Sequence, residues 1–309
     1  MLASASTIAP SVDRIFWVLV GLSVVIMAVV GTLVLTFAIK YREGTKAYRG
    51  PLPEWMSREV EIGWTVATLF VALFVFWWAA SAQLPHFLLP KRALEIHIVA
   101  KQWMWKAQHP EGVREIDALH IPEGVPVRLE MTSQDVIHSF GVPAFRIKQD
   151  VLPGRYTATW FQATAPGEYH LFCTEYCGTD HARMTGTITV MPPEAYARWL
   201  AAQPHGEDLA GEGAQMFTKF GCSGCHGAGA RVPAPSLAGL YDRPVTLADG
   251  TTVTADENYL RTSILRPEAQ VVAGFPSVMP SYQGVASEEQ VVAMIAYIKA
   301  LDAGRSEAR

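Results

Sequence analysis

Cysteine is scarce in this chain: its 309 residues include only four, at positions 173, 177, 222 and 225. They fall into two close pairs, and close spacing of this kind indicates a metal or cofactor site. If both pairs bind cofactors, no cysteine is left for a structural disulfide. The length is sufficient for two soluble domains in addition to membrane segments.

Net charge is also low. The chain has 25 Lys and Arg against 29 Asp and Glu, a balance of −4 that gives no indication of nucleic-acid binding. The deficit lies in residues 205–309, which contain 8 basic and 12 acidic residues. An acidic C-terminal region favours a basic partner, because opposite charges speed the encounter of two proteins.

Charged residues are absent from two long segments, residues 15–39 and 62–84. Each exceeds the roughly 20 apolar residues that span a bilayer, so both are predicted transmembrane helices. The first is not a typical signal peptide, because its apolar run is long and no small-residue cleavage site follows it. The N-terminal tail has only Arg14, whereas five basic residues lie in the loop between the segments: Lys40, Arg42, Lys46, Arg49 and Arg58. This asymmetry places the loop in the cytoplasm and both termini outside it.

Residues 94–190 consist of short β-type runs separated by Gly and Pro. Residues 127–131 alternate strictly between apolar and charged side chains, and segments 94–99, 156–160, 169–172 and 187–190 are further predicted strands. The Pro-Gly pairs at 153–154 and 166–167 mark turns. Evenly spaced short strands predict a β-sandwich or a β-barrel.

Residues 173–184, Cys-Thr-Glu-Tyr-Cys-Gly-Thr-Asp-His-Ala-Arg-Met, concentrate soft metal ligands. Two thiols, an imidazole and a thioether in one loop favour copper. Two bridging thiolates can hold two copper ions that share one electron, and His138 is the candidate for a second imidazole. A disulfide between Cys173 and Cys177 and a zinc site that includes His181 are simpler alternatives. Neither alternative explains the Met or the upstream His.

The pattern Cys-x-Glu-x-Cys-x-x-x-His-x-x-Met with a distant upstream His resembles the dinuclear copper (CuA) loop of cytochrome c oxidase subunit II. The resemblance implies a cupredoxin-like Greek-key β-barrel whose metal loop joins its last two strands. It also implies that the Glu175 side chain reaches a Mg²⁺ ion at the boundary with subunit I. The implied copper ligands are His138, Cys173, the carbonyl of Glu175, Cys177, His181 and Met184.

Two further stretches are similar to the same family. In Glu-x-Glu-x-x-Trp, residues 59–64, the resemblance implies that Glu61 lies near the entrance of a proton path into subunit I. The simpler interpretation is that Glu59 and Glu61 lie in the first turn of a helix and favour its dipole. Trp103 and Trp105 resemble an aromatic cluster over the copper site, where electrons enter. Paired aromatics on a strand are more often packing residues, and the spacing does not decide which Trp matters.

Residues 222–226, Cys-Ser-Gly-Cys-His, match the attachment motif of c-type haem. Cys222 and Cys225 can add to the two vinyl groups of the haem, and His226 can reach the iron from one face. A redox or zinc Cys-x-x-Cys is the alternative, which the following His disfavours. Met279 is predicted to bind the other face, because it lies in an irregular segment and Met-Pro matches small cytochromes c. His/Met ligation raises the reduction potential of the haem.

These features predict a multi-domain membrane protein. The predicted divisions are a tail with a two-helix transmembrane hairpin (1–92), a CuA cupredoxin domain (93–192), a linker (193–206) with a hinge at 204–206, and an all-α class I cytochrome c domain (207–309). Ser287 and Gln290 are predicted to form a capping box at the start of the final helix, whose apolar face should cross the helix that precedes Cys222.

Over nearly its full length the chain resembles subunit II of a haem–copper cytochrome c oxidase with a fused cytochrome c domain. The resemblance implies a bacterial cell membrane location, partner subunits I and III, and a donor such as a cytochrome c or a quinol:cytochrome c reductase. Electrons would pass through haem c and CuA to subunit I, where oxygen is reduced to water with proton pumping. The spanning segments contain no His, so oxygen chemistry belongs to a partner. The alternatives are the CuA subunit of a nitric oxide reductase and a membrane-anchored electron shuttle.

Overall fold

The protein is represented by a computed structural model, which describes residues 3–51, 53–88, 90, 92–203, 208–227, 230, 232 and 234–306. The predicted hinge at 204–206 lies outside these residues. The chain divides into two compact units, one comprising Ile8–Leu89 and the other the remaining residues, and each is described by itself.

The first unit consists of two long helices, α1 (Ala9–Lys40) and α2 (Glu54–Gln83), followed by a short 3-10 turn, Leu84–Phe87. Both helices are long and apolar enough to cross a membrane, and their apolar side chains are exposed rather than buried in protein. Exposure of this kind is expected of helices that face lipid. We therefore describe both as membrane-spanning.

The start of α2 corrects one prediction. Pro53 precedes the helix, and Glu54 is the acidic residue of its first turn. Glu59 and Glu61 lie further along the helix, beyond the turn in which the dipole acts. The interpretation of these two acids as first-turn residues is therefore wrong.

The second unit contains a cupredoxin-like Greek-key barrel of ten strands in two five-stranded sheets. The strands are β1 (Leu94–Lys101), β2 (Met104–Gln108), β3 (Arg114–Ile116), β4 (Ala118–Pro122), β5 (Pro126–Ser133), β6 (His138–Val142), β7 (Ile147–Val151), β8 (Thr157–Gln162), β9 (Gly167–Cys173) and β10 (Thr185–Met191). The sheet orders are β3-β2-β1-β5-β8 and β4-β10-β9-β6-β7, and the pairs β1/β5 and β4/β10 are parallel. Each of the five predicted strands is confirmed.

The barrel core lies between the two sheets and is apolar. It includes the fully buried side chains of Ile96, Leu129, Phe140, Phe161 and Ile188. The N-terminal tail is attached to the outside of the barrel: the amide of Ala5 donates to the carbonyl of Ala144, and the amide of Thr164 donates to the carbonyl of Ala5. The tail therefore belongs to the same compact unit as the barrel.

A helical domain follows α3 (Pro193–Ala202). Its helices are α4 (Leu209–Lys219), α5 (Ser223–His226), α6 (Glu257–Leu265) and α7 (Glu288–Ser306). A short hairpin of β11 (Pro244–Thr246) and β12 (Thr252–Thr254), which the sequence did not predict, precedes α6.

The predicted crossing of the first and last helices of this domain is confirmed. A Cβ atom at Gly213 on α4 would lie only 2.0 Å from the carbonyl oxygen of Ala293 on α7, so the two backbones touch at a site that only glycine fits. The predicted capping box is also confirmed. The amide of Gln290 donates to Ser287 Oγ, and the amide of Ser287 donates to Gln290 Oε1.

A buried polar cluster attaches α3 to the barrel. His109 Nε2 lies 2.9 Å from Glu115 Oε1, and Tyr196 Oη of α3 lies 3.2 Å from His109 Nδ1. The His120 ring contacts the other oxygen of Glu115 and stacks on Trp199 at 4.3 Å. Burial raises the pKa of Glu115, but the hydrogen bonds from His109 and His120 outweigh burial and lower that pKa from 4.5 to about 2.

Glu115→Gln should lower the free energy of unfolding by about 2–3 kcal/mol, because a charged, buried acceptor loses two imidazole partners. The folded-state pKa lies below the ordinary value, so the stabilisation is complete above pH 4.5 and is lost as the pH falls toward 2. The measurement is thermal or denaturant unfolding of the purified chain from pH 7 to pH 3. Glu111→Gln, at an exposed acid in the neighbouring turn, is the matched control. An equal loss in both variants would contradict the role of the cluster.

Candidate metal centre and haem pocket

The six predicted copper ligands converge at one end of the second sheet. His138 begins β6, Cys173 ends β9, and the loop from β9 to β10 carries the other four. Cys177 Sγ lies 3.4 Å from His181 Nδ1 and 3.8 Å from Met184 Sδ. Cys173 Sγ lies 4.0 Å from His138 Nδ1, 3.2 Å from the carbonyl oxygen of Glu175 and 3.7 Å from Cys177 Sγ.

The chemistry of this donor set fits copper. Cys173 and Cys177 are free thiols whose separation is shorter than two metal–sulfur bonds of about 2.3 Å, so one ion can bond to both sulfurs. The thioether of Met184 is buried beside them. Zinc takes thiolate, imidazole and carboxylate ligands, whereas a thioether among thiolates and imidazoles is typical of copper. The geometry therefore favours the copper interpretation over both alternatives.

The two thiols do not ionise together without a cation. Burial raises the pKa of Cys173, but hydrogen bonds with His138, the backbone of Ser139 and Glu175, and Cys177 together outweigh burial and lower that pKa to about 6. Burial and the adjacent Cys173 sulfur raise the pKa of Cys177 to about 12. Metal coordination deprotonates a thiol, so the positive charge of a bound cation would stabilise both cysteines as thiolates.

Asp135 orients His138, and the sequence did not reveal this role. Asp135 Oδ1 lies 2.8 Å from His138 Nε2, which leaves Nδ1 directed at the sulfurs. Asp135 Oδ2 also accepts a hydrogen bond from the amide of Gln102 at 2.7 Å. A carboxylate behind a ligating imidazole fixes its tautomer and its orientation. The sequence does contain a signal for this role, namely an acidic residue three positions before the predicted ligand His138.

Asp135→Asn should weaken copper binding about 10–100-fold, the usual effect of losing the carboxylate behind a ligating His. The measurement is copper retained per haem iron during dialysis of the purified chain against a graded copper chelator. Asp150→Asn is the control, because Asp150 is an acid on the neighbouring strand β7 that contacts none of the six predicted ligands. Equal copper retention in the two variants would contradict the positioning role of Asp135.

Three of the four predicted haem residues line one cavity in the helical domain. Cys222, His226 and Met279 all line it, and Cys225 lines an adjoining cavity with the same three residues. The remaining lining is mostly apolar and includes Phe217, Leu240, Leu260, Ile264 and Ile298. The lining is that of a site for a large apolar ligand with a few polar groups.

Two polar features of this cavity fit a haem. His226 Nδ1 lies 3.0 Å from the carbonyl oxygen of Pro235, so the ring is oriented and Nε2 is the nitrogen available to an iron. Gln270 lines the cavity, and its side-chain oxygen is buried without a hydrogen-bond partner among the described residues. Such an atom indicates a polar group that the bound cofactor or a water molecule supplies.

Of the three methionines near this site, two line the cavity. Met279 lies in the irregular segment after α6, and Met294 lies on α7 as a fully buried core residue. Met216 does not line the cavity and packs against the core of the domain. The role of Met279 as the second iron ligand remains a prediction, and Met294 is the other methionine that lines the cavity.

Comparison with known proteins identifies the family. Two family models match: "Cytochrome C oxidase subunit II, periplasmic domain" over residues 111–191 and "Cytochrome c" over residues 210–302. Cytochrome c oxidase subunit 2 of Alkalihalophilus pseudofirmus is 30% identical over 302 residues, which cover 91% of this chain and 85% of that protein. The chain belongs to the cytochrome c oxidase subunit 2 family.

Other relatives match part of this subunit 2. The cytochrome c oxidase subunit 2 of Cereibacter sphaeroides is 26% identical, and the alignment covers 62% of this chain and 77% of that protein. A further match is the crystal structure of the periplasmic domain of subunit II of cytochrome oxidase (CoxB) of Bradyrhizobium japonicum. Its sequence is 32% identical, and the match covers 38% of this chain and 96% of that chain with a TM-score of 0.36.

Family membership makes the chain part of a haem–copper oxidase, in which subunit 2 associates with subunit I and electrons enter. The cytochrome c domain binds haem c and the subunit 2 domain binds copper. The two apolar helices anchor the subunit in the membrane, with its soluble domains outside the cytoplasm.

The two Trp candidates of subunit 2 differ in burial. Trp105 is 2% exposed and packs edge-on against His138 and Phe140, with ring centroids 6.1 and 5.3 Å away. Trp103 is half-buried, and its Nε1 donates a hydrogen bond to the carbonyl of Cys177 at 3.3 Å. Of the two, only Trp103 combines a solvent-facing surface with contact to a predicted ligand.

Glu175 and Glu61 are both exposed in their own units. The carbonyl of Glu175 faces Cys173, while its carboxylate is free to meet another subunit. Glu61 lies on α2, where its carboxylate is likewise accessible. The predicted roles of these carboxylates in Mg²⁺ binding and in a proton path remain predictions.

Proposed function

We propose that this subunit 2 takes electrons from a donor outside the cytoplasm and delivers them through haem c and a dinuclear CuA centre to subunit I, where oxygen is reduced to water with proton pumping. The observation that carries the proposal is the convergence of six ligand atoms, including two free thiols 3.7 Å apart, in the same chain as a largely apolar cavity lined by Cys222, His226 and Met279. When bound, each cofactor supplies a site that gains and loses one electron without breaking a bond.

The proposed copper ligands are the six that converge. Cys222 and Cys225 would attach a haem covalently, and His226 and Met279 would hold its iron. The carbonyl of Pro235 holds the His226 ring in place. Enclosure by apolar side chains limits the access of water, which supports a high reduction potential.

The family resemblance supplies the remaining roles. We assign Glu61 to the entrance of a proton path, the Glu175 carboxylate to a Mg²⁺ ion shared with subunit I, and Trp103 rather than Trp105 to the arrival of electrons. Subunit III is a further proposed partner, and a cytochrome c or a quinol:cytochrome c reductase is the proposed donor. The divisions 1–92, 93–192, 193–206 and 207–309 are kept as proposed domains.

We also propose that both termini lie outside the cytoplasm of a bacterial cell. Two observations support this topology. The basic residues of the α1–α2 loop favour the cytoplasmic side, and residues 5–7 pair with the barrel that follows α2.

The composition of the intact membrane complex tests the function. We expect the chain to co-purify with a multi-helix partner that contains haems of a, b or o type and to support oxygen uptake. In the isolated subunit we expect two coppers per haem iron. Purification of the chain alone with full copper would favour a membrane-anchored electron shuttle, and nitric oxide turnover without oxygen uptake would favour a nitric oxide reductase.

A further inference from the structure

The outer face of the sheet that contains β1 and β5 is polar but buried. On β5 the polar residues Glu130 and Thr132 are 3% and 1% exposed, and on β1 His97 is 7% exposed. Their neighbours Ile96 and Leu129 point into the barrel core. Polar side chains on the outside of a half-buried sheet normally face water. Here the helical domain covers them.

The contact between barrel and helical domain is built on alternating charges. Lys299 Nζ of α7 lies 2.8 Å from Glu95 Oε1 of β1 and 2.9 Å from Glu257 Oε1 of α6. Arg128 of β5 lies 3.6 Å from the same Glu257 oxygen and 3.5 Å from Glu95. Each cation therefore touches a carboxylate of both domains. Burial lowers the pKa of Lys299, but Glu257 and Glu95 outweigh burial and raise it, so the amine stays charged.

Tyr156 provides the hydrophobic part of the contact between the barrel and the helical domain. It belongs to the barrel, yet its side chain is buried in the hydrophobic core of the helical domain, with Tyr259 and Val291 in the same cluster. Its backbone is held as well: the amide of Tyr156 donates to Asn258 Oδ1 at 2.8 Å. Its hydroxyl has no hydrogen-bond partner among the described residues, so the ring rather than the hydroxyl is the anchor.

Helix α7 connects this contact to both cofactor sites. Met294 and Ile298 of α7 line the haem cavity. At its start, Glu289 accepts hydrogen bonds from Lys106 Nζ at 2.8 Å and from Gln134 Nε2 at 2.9 Å, both from the barrel. Gln134 precedes Asp135, the residue that orients His138. One rigid helix therefore reaches from the haem cavity to the loop behind a copper ligand.

We propose that the haem domain is permanently docked on the outer face of the β1–β5 sheet, with Lys299 and Tyr156 as the residues that hold it. The purpose assigned to docking, electron transfer between haem and copper at a fixed separation, rests on the proposed function; the docking itself does not. In this transfer one electron leaves the ferrous haem, which becomes ferric, and reduces the copper pair. Opposite charges on the two surfaces set a single docked orientation.

Lysine footprinting tests the docking without depending on either cofactor. The intact complex in native membranes is treated with an amine-reactive ester, and modification is followed by mass spectrometry. Lys299 should react at least about tenfold more slowly than the exposed Lys219 of the same domain, because its amine is paired with Glu95 across the contact and with Glu257. In Tyr156→Ala the protection of Lys299 should fall to the part that its pair with Glu257 of the same domain provides, while Tyr156→Phe should retain the full protection. Equal reactivity in the native chain, or unchanged protection in Tyr156→Ala, would overturn the proposal.

Flash photoreduction of the haem in the purified full chain gives a second test. The rate of haem reoxidation should not change when glycerol raises the viscosity about tenfold, since no domain motion precedes transfer. In Lys299→Met it should become slower and inversely dependent on viscosity, with haem content and both potentials unchanged. Lys299→Arg should restore the native behaviour, and Arg243→Met, at an exposed cation of the same domain, should match the native chain.

A viscosity-dependent native rate would overturn docking and leave the electron route intact. If the chain contains no copper, or if no electron passes from haem to copper, the proposed function is rejected instead. The docking is then tested by the lysine footprinting alone. Asn258→Ala, which removes the hydrogen bond to the Tyr156 amide, replaces Tyr156→Ala if that variant loses haem. It should then give the same rise in Lys299 reactivity.

Discussion

Cys177→Ser should abolish the shared-electron copper centre and stop electron delivery to subunit I. The Cys177 sulfur occupies the middle of the ligand cluster, within 3.4–3.8 Å of His181 Nδ1, Cys173 Sγ and Met184 Sδ. A serine hydroxyl does not ionise at neutral pH and is a hard ligand, so it cannot bridge two copper ions. The loss should exceed the roughly 100-fold effect typical of residues behind the ligands, because a ligand itself is removed.

Three measurements on the purified complex check this result. Metal analysis should give one copper or none in the subunit 2 site, and electron paramagnetic resonance should lose the hyperfine pattern of an electron shared between two coppers. Oxygen uptake driven by the donor should fall to background while the haem c spectrum is retained. Thr179→Ala, at an exposed position in the same loop, should keep both coppers. A Cys177→Ser protein with its mixed-valence hyperfine pattern intact would contradict the bridging role.

The copper site could be predicted because most of its ligands are local in sequence. Cys173, Cys177, His181 and Met184 share one loop, and their spacing is itself the signature. The prediction of His138 as a ligand rested only on its being an isolated histidine upstream of the loop. Asp135 was missed because an acid in a loop usually faces water, and only the fold shows it 2.8 Å from the His138 ring.

The surface between the domains could not be predicted from strand patterns. The alternation at residues 127–131 correctly predicts a strand with one face in the barrel core, and it assigns Arg128 and Glu130 to the other face. Whether that face meets water or another domain depends on contacts with residues much later in the chain: Glu257 lies 129 positions after its partner Arg128, and Lys299 lies 204 positions after its partner Glu95. Alternation carries no information about such distant partners.

The start of α2 shows a different limit. The apolar run beginning at Ile62 marks the part of the helix that faces lipid, but helix formation does not require apolar residues. Pro53 sets the boundary, because its fixed φ and missing amide suit a position at a helix start. The charged residues Arg58, Glu59 and Glu61 therefore lie inside the helix. This position leaves the Glu61 carboxylate beside the apolar segment, where the proposed proton path would need it.

Met279→Ala should lower the reduction potential of the haem by on the order of 0.1–0.2 V, within the range of about 0.8 V over which axial ligands set haem potentials. A thioether stabilises the ferrous state, so its removal favours the ferric state and opens the sixth position. Reduction by the donor should become slower and less complete, whereas transfer from reduced haem to copper gains driving force. Oxygen uptake with the donor should therefore fall more than uptake with a strong artificial reductant.

A spectroelectrochemical titration of the full chain measures the potential, and binding of carbon monoxide to the reduced haem reports the open position. Met294→Leu is the matched control, because Met294 lines the same cavity and leucine conserves its volume. That variant should keep the native potential and should not bind carbon monoxide. The opposite pattern, a native potential in Met279→Ala and a lowered one in Met294→Leu, would move the axial ligand from the loop after α6 to helix α7.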